Sequence, residues 1–480
     1  MSSPATGVRA APSPIPRPAR SAWWLLELLP AVLSLALGTV LLLPGHAMWF
    51  DELFTAEVAR LPLGELVSAV VHGEGTTGYL AGVPPSYNAP YYVVVHVWTS
   101  LPWLGGDTSL RVLSLLATAG GLTLITRTVV RLAGRPTGVL AGLVLAASPL
   151  VVEQSVEARS YGLAVLATGA AALGLVRWLQ EPPRGLLLFG VAGAAMGLMH
   201  WYAVTTLAAF VVTALVLRRR RALPVLAVGA VPATPALAMV AVNLSNGVGG
   251  RNAEHLKTTD GRLAGLALDA WSAGRTWLLL VLVTLMVVGA VRASGARVLA
   301  TAWVVVPLLL LTAGELVRPL YLPRYLLTGL LGIGVLAAVG AWALPRVARR
   351  SAAAVLLVLT LLACAPVLER GPRERGDELV GRIAELQQPG EPVVAADQRS
   401  AMALDHYVRL LHPELRDDVV LPPDDAPANA DRVWMVRRII DCLPEPTDDD
   451  EILRAAGLTQ AQEWSFAAGK TDLVLQLWTR

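Results

Sequence analysis

The chain has 480 residues, 55% of them hydrophobic and 16% charged, with a mean hydropathy of +0.56. Apolar stretches at this density exclude an ordinary soluble enzyme and read as membrane-spanning helices. The formal net charge is only +3, and no basic stripe with interleaved aromatics runs along the chain, so nothing points to nucleic acid as a partner.

Residues 1–22 are rich in Pro, Ala and Arg and free of acids, which predicts a disordered cytoplasmic tail. The apolar run that follows is too long for the core of a cleaved signal peptide, so it is read as a retained first span. A spanning helix needs ~20 mostly apolar residues. Candidates are Trp23–Leu43, Leu110–Val130, Thr137–Val152, Tyr161–Trp178, Gly185–His200 and Tyr202–Leu217. Ala222–Val242, Trp277–Val291, Val298–Ala313, Tyr325–Leu344 and Ala352–Leu368 complete a set of eleven. Tyr91–Leu104 is shorter and carries His96 and Pro102. With eleven spans and the N-terminus inside, the Arg clusters at 127–135, 177–184, 218–221, 292–297 and 346–350 all face the cytoplasm. Were Tyr91–Leu104 to cross, they would face outward; it is placed instead as an interfacial helix on the outer leaflet.

Outside then lie a first loop at 44–109, the turns Glu153–Ser160, His200-Trp201 and Glu315–Arg324, the loop Asn243–Arg275, and the tail. The tail changes composition. Short strands at Pro392–Ala395, Asp418–Leu421, Arg432–Val436 and Asp472–Leu477 alternate with helical patterns at Glu378–Gln387, Ser400–Leu411 and Glu451–Ala456. The expected fold is an all-α polytopic membrane protein of about eleven transmembrane helices over 23–368. A long first external loop with interfacial helices and a small C-terminal extracytoplasmic α/β domain over 369–480 complete it. Two cysteines, Cys364 and Cys442, cannot build a disulfide framework.

Trp49-Phe50-Asp51-Glu52 puts a carboxylate pair just past the first span. If Asp51–Leu61 is helical, Asp51 and Thr55 share a face and Glu52 points elsewhere, so the two acids have different partners. A carboxylate at this depth suits a general base that takes a proton from an acceptor hydroxyl, typically worth ~10²–10⁴-fold in rate. It equally suits a first-turn acid that stabilises the helix. Further polar groups collect at outer helix ends: Glu153, Glu157, Arg159 and Tyr161; His200, Trp201 and Tyr202; Arg318, Tyr321, Arg324 and Tyr325. Charges at membrane depth cost ~2.5–3.5 kcal/mol on insertion scales and face a cavity or a partner. The Arg fork suits phosphate. The plainer alternatives are snorkelling of Arg318 and Arg324 to headgroups, a Glu157–Arg159 structural pair, and His200 as an interfacial anchor. No His-x-x-x-His pair offers a dedicated metal cage. The sequence names no certain cofactor and leaves a divalent cation open.

Four local patterns then converge. They are Trp49-Phe50-Asp51-Glu52-Leu53-Phe54-Thr55; Asn88-Ala89-Pro90-Tyr91-Tyr92 with His96-Val97-Trp98; Ser148-Pro149 through Glu157-Ala158-Arg159-Ser160-Tyr161; and Pro323-Arg324-Tyr325-Leu326-Leu327. In order and placement the set resembles the integral-membrane glycosyltransferases of the C superfamily, within glycosyltransferase family 39 and its bacterial protein-mannosyltransferase-like relatives. One departure is Asn88-Ala89-Pro90, which stands where that family has His-Pro-Pro. The resemblance implies a multi-pass protein of the bacterial plasma membrane that uses a polyprenyl-phosphate sugar. It would transfer a hexose, most simply mannose, with inversion to a hydroxyl of a protein, glycan or lipid acceptor. It makes Asp51 the base and Glu52 a supporting acid. Arg159 and Arg324 become phosphate ligands, and Glu157, Tyr161, Tyr325, His200 and Tyr91 line the donor/acceptor pocket. Two rival readings are a ligase or polymerase of polyprenyl-diphosphate glycans and a lipid or solute transporter. A transporter favours charged or Gly/Pro-broken spans and repeated halves, and the spans here are clean.

Overall fold

The computed structural model describes residues 22–72, 89–245, 258–292, 295–317, 319–422, 429–440, 448–469 and 471–480. The Ser2–Arg20 tail, Asn88, Arg318 and Cys442 lie outside the described residues.

Every candidate span is helical. A short turn at Ala22–Leu28 leads into α1 (Leu29–Leu42), and the first loop carries α2 (Phe50–Arg60), α3 (Leu63–His72) and α4 (Ala89–Thr99). Next come α5 (Asp107–Ala133), α6 (Arg135–Ala146), α7 (Pro149–Ser155), α8 (Tyr161–Gln180), α9 (Leu186–Met199), α10 (Ala203–Arg218) and α11 (Leu223–Ser245). The set closes with α12 (Leu263–Ser272), α13 (Thr276–Arg292), α14 (Arg297–Glu315), α15 (Leu327–Trp342) and α16 (Arg346–Leu368). Among the described residues, six helices are long and apolar enough to cross a bilayer; two bent pairs raise that to as many as eight, and α9 and α10 are shorter apolar helices.

Three expectations are corrected by the structure. The third candidate, Thr137–Val152, is not straight, because α6 and α7 meet at 65°. Ser148 precedes Pro149 and sits at φ −62°, ψ 126°, the extended region to which a proline drives its predecessor. The Asn243–Arg275 loop contains a helix of its own, α12. It meets α13 at 113° through Ala273 and Gly274, both at positive φ. In α4 the chain leaves the helix after Thr99, so Tyr91–Leu104 is helical over only part of its length.

Small residues let the bundle close around the future site. A Cβ on Gly121 of α5 would lie 2.7 Å from the Val165 carbonyl oxygen of α8, the close backbone approach that glycine permits between membrane helices. Nearer the N-terminal end of α5, which carries Arg111, Ser114 Oγ donates to the Arg159 carbonyl at 3.1 Å and ties that end to the turn leading into α8.

The tail forms α17 (Gly376–Leu386), β1 (Val393–Ala395), α18 (Gln398–Leu411), β2 (Val419–Val420), β3 (Arg432–Ile440), α19 (Asp448–Ala455), β4 (Thr459–Ala468) and β5 (Thr471–Thr479). The sheet order is β2-β1-β3-β5-β4, with β1 parallel to β2 and β3 and the β3, β5 and β4 pairings antiparallel. Strand β4 has no counterpart in the sequence reading. It is a mostly exposed edge strand, so its polar sequence lacks the alternation that marks a half-buried one.

The tail does not enclose its core alone. Met48, Leu53, Phe54, Tyr91 and Tyr92 of the first loop form one buried cluster with Leu379, Met402, Tyr407 and Trp434. Polar ties cross the same seam. The Met48 N–H donates to the Tyr407 hydroxyl at 2.6 Å, Arg409 Nη2 donates to Glu57 Oε2 at 3.0 Å, and His406 Nε2 lies 3.1 Å from Asp107 Oδ1.

Candidate active site

The site begins at the first turn of α2. Trp49 caps the helix in an extended conformation, and Glu52, at the third helical position, reaches back to within 3.5 Å of the Trp49 N–H. The 100° step between successive helical residues turns Asp51 and Glu52 apart. Their environments diverge accordingly.

Glu52 is 1% exposed and its acceptor capacity is engaged. Arg111 donates to it through Nε at 2.9 Å and Nη2 at 2.5 Å, and the Ala158 N–H donates to Oε1 at 2.8 Å. Arg111 also donates to the carbonyls of His46 at 2.6 Å and Ala47 at 3.0 Å. This fork-to-fork pair ties the end of α1, the start of α2, α5 and the turn before α8 to one point.

Asp51 is differently placed. Its side chain is 20% exposed; Oδ2 takes a bond from Arg324 Nη2 at 3.3 Å and lies 4.0 Å from Arg159 Nη2. Arg159 Nη1 also donates to the Asp51 carbonyl at 3.2 Å. Oδ1 accepts no hydrogen bond among the described residues. Burial alone would raise the Asp51 pKa. The charges of Arg159, Arg324, Arg373 and Arg438 together outweigh it and hold the carboxyl below its ordinary range.

Glu157 is 5% exposed and pairs with Arg373 Nη2 at 2.6 Å, while Gln154 donates to the same Oε1 at 3.2 Å. Burial pushes its pKa up to about 7 against the opposing pull of Arg373 and Arg324. Arg373 also holds Glu153 at 2.5 Å, beside an Arg370–Glu153 bond. The indole of Trp49 carries the Arg373 and Arg324 guanidiniums 4.8 Å and 5.3 Å from its ring centre, within cation–π range. The Glu157–Arg159 pair is therefore replaced by Glu157–Arg373 and Asp51–Arg159, and Arg324 turns inward to Asp51 rather than to headgroups.

His200 is 3% exposed, boxed by Tyr161, Tyr202 and Tyr325 with ring centres 5.4 to 5.7 Å away. Burial, then the Arg159 and Arg324 charges, lower its pKa to about 3, so the ring is neutral. The interfacial-anchor reading does not fit this buried position. Tyr91 packs into the loop–tail core with its ring 5.9 Å from that of Tyr92.

The sequence-predicted residues thus gather into a carboxylate–guanidinium cluster with an aromatic box, His200–Tyr161–Tyr325, adjoining it through Arg324. Four participants were missed: Arg111, Arg370, Arg373 and Arg438. A signal existed for three of them. In the topology expected from the sequence, Arg111 at the start of a span, and Arg370 and Arg373 just past the last one, fall on the outer side against the positive-inside pattern and so call for local partners. Among the described residues, no group of three or more His, Cys, Asp or Glu side chains is arranged to hold a metal ion.

No family model matches the sequence, and no curated protein matches it. Solved structures do. The chain is similar to ArnT from Cupriavidus metallidurans bound to undecaprenyl phosphate, with a TM-score of 0.59 and 14% identity over 95% of this chain and 98% of that one. It is also similar to the oligosaccharyltransferase AglB from Archaeoglobus fulgidus in complex with an inhibitory peptide and a dolichol-phosphate, at TM-score 0.54 and 10% identity, covering 87% of this chain and 69% of that one. A third is the arabinofuranosyltransferase AftD from Mycobacteria, at TM-score 0.52 and 16% identity, where 95% of this chain spans only 40% of the other. Over 95% of its length this chain thus shares its fold with ArnT.

Proposed function

We propose that the chain is a membrane glycosyltransferase that moves one hexose, of the mannose type, from a polyprenyl-phosphate carrier to an extracytoplasmic hydroxyl. The acceptor class is protein, glycan or lipid. The observation that carries this reading is Asp51. It is an ionised carboxylate with one uncommitted oxygen beside two guanidiniums, on a fold shared with proteins solved with undecaprenyl phosphate and dolichol-phosphate.

In the proposed reaction the acceptor hydroxyl donates its hydrogen bond to Asp51 and attacks the anomeric carbon. The new carbon–oxygen bond forms as the carbon–oxygen bond to phosphate breaks from the opposite face, which inverts the anomeric centre. The hydroxyl proton passes to Asp51, and the departing polyprenyl phosphate carries the negative charge. Arg159 and Arg324 match that charge, and preorganised cations act most strongly where charge grows in a water-poor site. Glu52, saturated by Arg111 and Ala158, acts as a positioning residue that holds the Asp51 turn in register with the Arg159 turn. Tyr161, Tyr325 and His200 furnish the aromatic walls, whereas Tyr91 belongs to the loop–tail core. Eleven crossings over 23–368 would leave the N-terminus in the cytoplasm, with the loop 44–109 and the domain 369–480 outside a bacterial plasma membrane. The kinship of fold with an oligosaccharyltransferase favours one rival, transfer of a whole glycan from a polyprenyl diphosphate.

The test uses purified full-length protein in nanodiscs, radiolabelled polyprenyl-phosphate mannose and a membrane-extract acceptor pool, with wild type against Asp51→Asn. Transfer by wild type that Asp51→Asn abolishes is the expected result. Equal transfer by both removes Asp51 as the base. A folded wild type that transfers glycan only from polyprenyl diphosphate supports the rival.

A further inference from the structure

Behind Trp49, between the outer ends of α1 and α16, lies a cavity of about 100 Å³. Leu41 and Leu42, Val156 and Val367 give it an apolar wall. Two polar atoms on its lining residues are buried and have no partner among the described residues: Glu157 Oε2, an acceptor, and Trp49 Nε1, a donor. Each unsatisfied buried group costs ~1–3 kcal/mol, so a ligand that answers both recovers that penalty twice.

Charge decides what kind of ligand this is. Arg111, Arg370 and Arg373 line the cavity, but each is already paired, with Glu52, Glu153 or Glu157, which line it too. The cavity therefore has no surplus charge. A phosphate entering it would draw a guanidinium away from a buried acid, and stranding one member of such a pair costs ~3–5 kcal/mol. On the Asp51 side the balance differs, because one carboxylate there faces both Arg159 and Arg324. A neutral ring with hydroxyls asks for no such exchange. Its hydroxyls donate and accept, and its C–H faces suit Leu and Val.

We infer that this cavity binds a neutral, hydroxyl-bearing glycosyl ring, with Glu157 accepting from one hydroxyl and the Trp49 indole N–H donating to another. The inference rests on the transferase reading and divides its site in two, phosphate on the Arg159–Arg324 side and sugar ring on the Glu157–Trp49 side. The ring belongs either to the lipid-linked donor or to a glycan acceptor; the recognition chemistry is the same for both.

The test is saturation-transfer NMR of full-length protein in nanodiscs with a panel of methyl hexosides. Wild type should receive saturation to at least one hexoside. Trp49→Phe, which removes only the N–H and its ring, and Glu157→Gln, which keeps the volume, should each weaken binding about tenfold. Thermal melts check that both variants fold. Binding that both folded variants retain in full overturns the inference. So does a folded wild type that binds no hexoside, which would mean that the cavity holds only water. Competition by polyprenyl-phosphate mannose, but not by bare polyprenyl phosphate, assigns the ring to the donor; hexoside binding that the donor leaves untouched assigns it to the acceptor. Hexoside binding in a protein without transferase activity keeps this inference and sinks the function. Transferase activity without hexoside binding does the reverse.

Discussion

Asp51 can serve as a base only because its neighbours offset its burial. Its two nearest guanidiniums come from turns 108 and 273 residues away in sequence. Asp51→Asn should lower kcat by ~10²–10⁴, the range for a lost general base, while donor binding persists; single-turnover assays with bound donor separate the two. The pH consequence follows from the depressed pKa. In the proposed reaction the active form is the carboxylate, present above its folded pKa and lost as pH falls through it. Because that value lies below the ordinary 3.8, Asp51 should impose no acid limb on kcat/KM above about pH 4. Arg324→Gln removes one of the charges that hold it down, so the acid limb should move upward, which a pH–rate profile reads directly. Glu52 calls for a different measurement. Arg111→Ala strands a buried carboxylate, which costs ~3–5 kcal/mol, so the thermal melt should drop more steeply than for Asp51→Asn. Asp51, Glu52, Arg159 and Arg324 were legible because each sits in a local pattern next to a predicted span. Arg438 was not, since nothing local in strand β3 reveals that it faces α2 rather than solvent.

At the scale of elements, the first loop and the tail meet along α2 and α18. Helix α18 was legible from its amphipathic period and its start is fixed by Asp397, whose side chain accepts from the Arg399 and Ser400 N–H groups at 2.7 Å. What it packs against was not legible, since hydrophobic periodicity marks a buried face without naming its partner. The seam has one narrow polar point. The Met48 N–H, directly before the α2 cap, donates to the Tyr407 hydroxyl at 2.6 Å. Tyr407→Phe leaves that buried N–H without an acceptor at ~1–3 kcal/mol, and the strain falls one residue before Trp49. Faster amide exchange should appear over Trp49–Phe54 in hydrogen-exchange mass spectrometry. Unchanged exchange would show that the apolar seam alone orders the cap. The bend at Ser148-Pro149 belongs to this scale too: the proline was visible in the sequence, but an unbroken apolar count hid its consequence.

For the whole molecule, the question is whether 369–480 is an appendage or part of the catalytic body. Read from the sequence it is an appendage, since its composition changes at the end of the last span. The packing argues otherwise. Met48, Leu53, Phe54, Tyr91 and Tyr92 are each at most 7% exposed, and their cluster continues into Leu379, Met402, Tyr407 and Trp434. Burying a large apolar side chain contributes ~1.5–3 kcal/mol. Uncovering even a few of these would consume much of the ~5–15 kcal/mol that holds a typical protein folded. Removal of the tail also takes away Arg373 and Arg438, two of the charges that keep Asp51 ionised. A chain ending at residue 368 should therefore insert into membranes, because its apolar helices remain. Its loop 44–72 should lose exchange protection and it should not transfer sugar. The control is an intact chain cut by a protease at a site introduced in the exposed turn 388–390. That cut severs the backbone but leaves the shared core in place, so activity should survive it. An active chain ending at 368 would separate the two bodies and return the tail to the role of an acceptor-binding attachment.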